Sequence, residues 1–168
     1  KELTYYSDPH RALVMCLLSV RAGLRAAEIA GLEWQMVLDA NGKIAEVMNL
    51  ENKIAKRGSG RKIPIHRDLR VALQTLLRHS AGEGPVIRSK SGKHLRAQSV
   101  VNWFRVLYAD LKLEGCSSHS GRRSFITRAA RVVHRAGGSL RDVQLLAGHR
   151  SIVVTQGYIE GGSDIQKK

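Results

Sequence analysis

The sequence predicts a mainly helical α+β domain that carries one small three-stranded antiparallel sheet. Two changes of period predict it. Apolar residues recur at helical spacing up to about residue 33 and again from residue 67 onward. Between them, over 35–65, the pattern alternates and is broken by Asn41-Gly42 and by the glycine-rich "KRGSG". The 168 residues, 43% apolar and 25% charged, suffice for one ordinary core, and no repeat or linker divides them.

The first element is a helix over roughly 8–22. Asp8 is placed to cap it, Pro9 occupies its first turn, and Gly23 stops it. Its run "ALVMCLLSV" is so densely apolar that it reads as buried on every side. "RAAEIAGLEW" follows as a short helix from Arg25 to about Gly31. The sheet spans 35–65, with Asn41-Gly42 as the first turn, and Pro64 in "GRKIPI" puts the last strand at an edge. "RDLRVALQTLLRHS" returns to helical spacing through Leu69, Leu73, Leu76 and Leu77. "AQSVVNWFRVLYADLKL" does the same through Val100, Val101, Phe104 and Leu107 or Tyr108. A helix begun near Ser118 runs to Gly137-Gly138, "SLRDVQLLAGH" forms a short one ending at Gly148, and Ser151 caps a final turn or two. The segment after Gly161-Gly162 is polar.

Charge narrows the function. Lysine and arginine number 28 against 14 acidic residues, a net charge of +14 spread along the whole chain. That points to a polyanionic partner, most simply a nucleic-acid backbone, with a merely soluble cationic protein as the plainer alternative. Aromatic residues are only 5%, few for a binder that stacks single-stranded bases. Cys16 and Cys116 lie far apart and read as two reduced thiols of a cytoplasmic protein. The apolar run around Cys16 is too short to span a bilayer, so no membrane partner is expected. No signal-peptide pattern appears, and the polar start "KELTYYSD" without a methionine reads as a piece of a longer protein.

Four segments carry chemistry. "SSHSGRRS" sets His119 and Arg122 three residues apart at a helix start, where free N–H groups already favour an anion. The alternative is a solvated basic turn. "LAGHRSIVVTQGY" turns at Gly148, presents His149, and carries Tyr158 on a short helix, where a plain amphipathic surface tyrosine is the alternative. "AGLRAAEIAGLEW" places Arg25 among apolar neighbours with Glu28 one turn on, either as a structural ion pair or as an anion contact with its support. "AKRGSGRKIPI" puts Lys56 at a strand-to-turn boundary, and Lys53 and Lys62 flank the same hairpin.

Taken together, "GLRAAEIAGLEW", a lysine eight residues before the proline of "KIPI", "HSGRRS" and "LAGHRSIVVTQGY" resemble the catalytic domain of the tyrosine recombinase family, which includes phage integrases. The resemblance runs over nearly the whole chain and implies the DNA breaking-rejoining enzyme fold. It implies a site-specific recombinase that cleaves and rejoins DNA through a 3′-phosphotyrosine, with neither metal nor other cofactor nor ATP. By resemblance Tyr158 is the nucleophile, Arg25 and Arg122 grip the scissile phosphate, His119 is the base, Lys56 the acid, and His149 a phosphate contact. Glu28 supports Arg25, and Arg123, Lys53, Arg57 and Lys62 are DNA-backbone contacts. No cluster of carboxylates, histidines or cysteines has metal-ligand spacing, in keeping with that chemistry. The expected partners are double-stranded DNA and further recombinase subunits, a tetramer in the full-length protein, in a bacterial or phage-encoded setting. The family's N-terminal DNA-clamping domain is expected to lie outside this sequence. Family members often read His-x-Leu-Arg-His where this chain has His119-Ser120-Gly121-Arg122-Arg123, and Gly121 is expected to weaken the helix start. Relaxation of DNA by a type IB topoisomerase and an inactive DNA-binding module are the rival readings.

Overall fold

The computed structural model describes residues 8–55 and 58–160. Helix α1, Pro9–Ala22, starts where Asp8 accepts a hydrogen bond from the Arg11 amide and ends at Gly23, whose left-handed backbone (φ 65°) turns the chain toward Arg25. Val14, Met15, Leu18, Ser19 and Ala22 are buried, but Leu13 is 51% exposed. The expectation of a helix buried on all sides is therefore corrected. Its main packing partners are α3, Arg67–Arg78, and α5, Ser120–Val132, with a slighter contact to the helix that follows it, and these leave one side of the cylinder open.

The sheet is smaller than the three strands expected. It has two antiparallel strands, β1 (Val47–Leu50) and β2 (Arg61–Pro64), in the register Met48 to Ile63 and Leu50 to Arg61. The missing arm is taken by a 3-10 turn over Trp34–Met36 and a tight loop held by a single bridge between Leu38 and Ile44. The physical reason lies at Asp39: its carboxylate accepts from the amides of Asn41 and Lys43, closing the loop on itself. Trp34, Met36, Val37 and Ile44 are buried in this compact arrangement, so the apolar pattern is satisfied without a third strand.

The main core gathers α1, α3, the sheet, α2 (Ala26–Gly31) and α4 (Ala97–Asp110) around Trp34, Leu18, Met48, Leu69 and Phe104. A second, smaller cluster of Ile126, Ala130, Val143 and Ala147 joins α5 to α6 (Leu140–Ala147), with Phe125 and Tyr158 packed against it. Helix α7, Ile152–Glu160, completes this side. The functional segments lie at the seam between the two clusters. Two helices meet there without spacing: a Cβ built on Gly121 would lie 2.3 Å from the Ser19 hydroxyl oxygen and 3.0 Å from its Cβ. Gly121 is thus the residue that lets α5 press against α1. Among the described residues no helix is long and apolar enough to cross a membrane.

Candidate functional site

Arg122 is the centre. It sits in the first turn of α5 and is only 2% exposed: beside the close approach at Gly121, its guanidinium reaches between the end of α1 and the end of α6. Its Nη1 donates to the carbonyl of Gly23, and its Nη2 donates to the carbonyl of Ala147 at 2.6 Å and to His149 Nε2 at 3.1 Å. A guanidinium has five N–H donors, so one Nη1 hydrogen and the Nε hydrogen have no protein acceptor among the described residues. Burial, with the charges of Arg25 and Arg61 added to it, lowers the Arg122 pKa to about 10, still fully charged near neutrality.

Arg25 stands two residues beyond Gly23, at the start of α2. Its Nη1 pairs with Glu28 Oε1 at 2.9 Å, while its backbone amide donates to Glu28 Oε2 at 2.8 Å. The side chain is 21% exposed, and the rest of its guanidinium has no acceptor among the described residues. Glu28 is fully buried. Burial alone would raise its pKa, but hydrogen bonds and charge from Arg61, then from Arg25, overturn that and hold it below the ordinary glutamate value.

His149 follows Gly148, which ends α6 in a left-handed conformation (φ 65°). Arg122 has only donors, so Nε2 of His149 accepts, and Nδ1 then carries the hydrogen toward Thr155 Oγ1 at 2.9 Å. Burial first, and the charges of Arg122, Arg25 and Arg61 after it, depress this ring to about 4, so it is neutral near pH 7. The Tyr158 ring stacks on it with centroids 5.4 Å apart and planes inclined by 25°. Thr127 on α5 donates to the Tyr158 carbonyl at 3.2 Å, fixing α7 to the helix that carries Arg122.

Arg25, Glu28, Arg122, His149 and Tyr158 are therefore brought together. His119 is not part of this knot. The helix starts at Ser120 rather than near Ser118, because Ser117 and Ser120 close a turn on each other: Ser120 N donates to Ser117 O, and Ser120 Oγ accepts from Ser117 N. His119 precedes the helix instead of lying in its first turn, and it is exposed. Lys56 and Arg57 lie outside the described residues. Lys53 pairs with Glu33 at 2.9 Å and Glu51 at 3.2 Å, so it is engaged in a surface ion-pair network. Lys62 and Arg123 are exposed.

Three residues of the site escaped sequence reasoning. Arg61 donates both fork nitrogens to Glu28, Gln144 Nε2 donates to the His149 carbonyl at 2.9 Å, and Thr155 faces His149. For Arg61 a signal existed: it is two residues before the buried Ile63 and so shares its inward face of the strand, where a charge must find a partner. Gln144 and Thr155 carried none.

Chemically, two guanidinium groups, Arg25 and Arg61, share the Glu28 carboxylate, and a third, Arg122, lies beside a neutral imidazole and a phenol without a carboxylate of its own among the described residues. Such a surplus of positive charge, with N–H donors left over, suits an anion with several oxygens.

Comparison with known proteins places the chain in a family. The model of the phage integrase family matches residues 1–162. The tyrosine recombinase XerC of Pseudomonas aeruginosa is 30% identical over 143 residues, covering 82% of this chain and 43% of its own. The chain thus spans less than half the length of the curated relatives it matches. In fold it is similar to the XerA recombinase (TM-score 0.69, 20% identity, 91% of this chain and 52% of that one). It is similar too to lambda integrase, solved as a dimer bound to a core site (TM-score 0.70, 19% identity, 95% of this chain and 55% of that one).

Proposed function

Because the chain belongs to the phage integrase family, we propose that it is the catalytic domain of a site-specific DNA recombinase that works through a covalent phosphotyrosine. The observation that carries this reading is the stacking of Tyr158 on His149 beside Arg122, with Arg25 and Arg122 both holding unspent N–H donors. Its substrate is double-stranded DNA, its further partners are other recombinase subunits on that DNA, and it works in the cytoplasm of the host cell.

The scissile phosphate sits between Arg25 and Arg122, whose forks neutralise charge that builds on its non-bridging oxygens. Tyr158 Oη attacks phosphorus. One P–O bond forms to the tyrosine and one breaks to the 5′-oxygen, giving a 3′-phosphotyrosine and a free 5′-hydroxyl. A phenol has an ordinary pKa of about 10, so its proton must leave to a base, and His119 on the exposed turn takes it. The departing 5′-oxygen needs a proton, supplied by Lys56. The phosphate's negative charge offsets that of the arginines around His149. This favours a second proton on that ring, so that Nε2 can donate to the phosphate instead of accepting from Arg122. The phosphotyrosine keeps the energy of the broken bond, so attack by another 5′-hydroxyl completes strand exchange without an external energy source.

The test is covalent capture on nicked duplexes of random sequence, in which the short fragment that carries the new 5′-hydroxyl diffuses away and traps the intermediate. The wild-type chain is expected to yield a protein–DNA adduct that Tyr158→Phe does not form, while both bind the duplex equally. An adduct persisting in Tyr158→Phe refutes the assignment of the nucleophile.

A further inference from the structure

Arg61 opens β2, opposite Leu50, and its side chain is only 5% exposed. We propose that Arg61 is a positioning residue of the recombinase reaction: it takes up the charge of Glu28 so that Arg25 stays available to the phosphate, and it fixes the turn that carries His149. The inference rests on the recombinase reading above.

The geometry is a three-point clamp. Nη1 donates to Glu28 Oε1 at 2.9 Å and Nη2 to Oε2 at 3.0 Å, a planar fork on a planar carboxylate. The third donor, Nε, reaches the carbonyl of Leu146 at 2.8 Å. That carbonyl belongs to the last turn of α6, where unpaired carbonyls and the helix dipole favour a cation. Arg122 donates to the next carbonyl, Ala147. Two buried arginines thus cap the same helix end, one from the strand and one from α5. The contact is flush: a Cβ on Gly148 would lie 3.0 Å from Arg61 Nη1 and 3.1 Å from its Cδ.

The consequence for Arg25 follows from sharing. Each Glu28 oxygen serves both arginines, Oε1 their two Nη1 groups and Oε2 the Arg25 amide and Arg61 Nη2. With the fork of Arg61 in place, the carboxylate plane is set and its charge is more than balanced. Without it, a buried carboxylate would hold one cation, Arg25, and would draw its guanidinium fully into the pair. A lysine at 61 would keep the charge but not the fork or the Leu146 contact.

The experiment compares two substrates in single-turnover capture: nicked duplexes with an ordinary scissile phosphodiester, and the same duplexes with a neutral methylphosphonate there. The neutral group builds less charge and depends less on arginine forks. Arg61→Lys and Arg61→Met are assayed well below their melting temperatures, read by circular dichroism. The expected result is a loss of about 10- to 100-fold on the phosphodiester, the scale of an angstrom-level misplacement, and a much smaller loss on the methylphosphonate. Equal losses on both substrates, or no loss on either, overturn the proposal. So does failure of Arg61→Lys to fold, which would assign the arginine to the core alone. A wild-type chain that captures neither substrate would instead sink the recombinase reading itself.

Discussion

Replacing Gly121 by alanine tests the seam on which the site is built. In an open helix this change stabilises, by roughly 0.5–1 kcal/mol, because glycine loses more conformational freedom on folding. Here the new methyl would lie 2.3 Å from Ser19 Oγ, 2.9 Å from Val20 Cγ1 and 3.0 Å from Ser19 Cβ. Rotating the serine hydroxyl away cures only the first contact. Ser19 Cβ is fixed by the α1 backbone, and Val20 Cγ1 is held by the one χ1 rotamer a helical valine strongly prefers, so relieving these contacts requires the helices to part by several tenths of an ångström. Overpacking on this scale typically costs about 1–3 kcal/mol, so the net effect is a destabilisation of about 1–2 kcal/mol. For a domain of this size that lowers the melting temperature by roughly 2–8 °C. Function should suffer more than stability, because Arg122 is the next residue and its hydrogen bond to Gly23, at the end of α1, spans the gap that opens. Displacing it should cut covalent capture by up to about 100-fold. Ser19→Ala provides the internal control. Its buried hydroxyl has no partner among the described residues, so removing it should be neutral or stabilising, and it should return part of the Gly121→Ala loss in the double variant. Urea unfolding of the four proteins measures all of this. A Gly121→Ala chain more stable than wild type would refute the close crossing beside which Arg122 is buried.

Two other outcomes are expected. His149 titrates near 4 in the folded chain and near 6.5 when unfolded, so the unfolded state binds more protons between those values. Stability should therefore fall as pH drops from about 6.5 toward 4. Glu28, held below its ordinary value, adds a loss in the same direction at lower pH still, as the fold releases its ion pairs. In His149→Gln the first part of the fall should vanish and the second remain; urea midpoints across pH 7.5 to 4, with an unchanged slope in the variant, would contradict this. DNA binding should weaken steeply with salt, by about 0.9 log unit per phosphate contact for each tenfold rise in concentration. A fluorescence-anisotropy titration that is flat in salt would remove the argument from the net charge of +14.

Helices were legible because their signals are local. Asp8 and Pro9 start α1, Gly23 ends it, and the Leu69–Leu73–Leu76 stripe buries α3 as its spacing requires. Trp103, three residues after Val100, is a further core residue of α4 beside the stripe that the spacing picks out. The third expected strand does not form, because Asn-Gly serves a closed loop as well as a hairpin, and only the Asp39 hydrogen bonds distinguish them. At the site, motif spacing picked out Arg25, Glu28, Arg122, His149 and Tyr158, which the fold gathers. It passed over Arg61, whose partners are 33 and 85 residues away in the chain.

The sequence by itself determined which segments are helical, that the chain is strongly basic, and which order of arginines, histidines and tyrosine marks it as a phage integrase relative. Helix signals and net charge are properties of composition and of neighbours within a few residues, and the motif order is read directly along the chain. Only the tertiary structure decided that Gly121 admits α5 to α1, that His149 is neutral and turned toward Arg122, and that Glu28 is shared by two arginines. Those depend on burial and on distances between parts of the chain far apart in number, because Coulomb energy and desolvation are set by what surrounds a group in space.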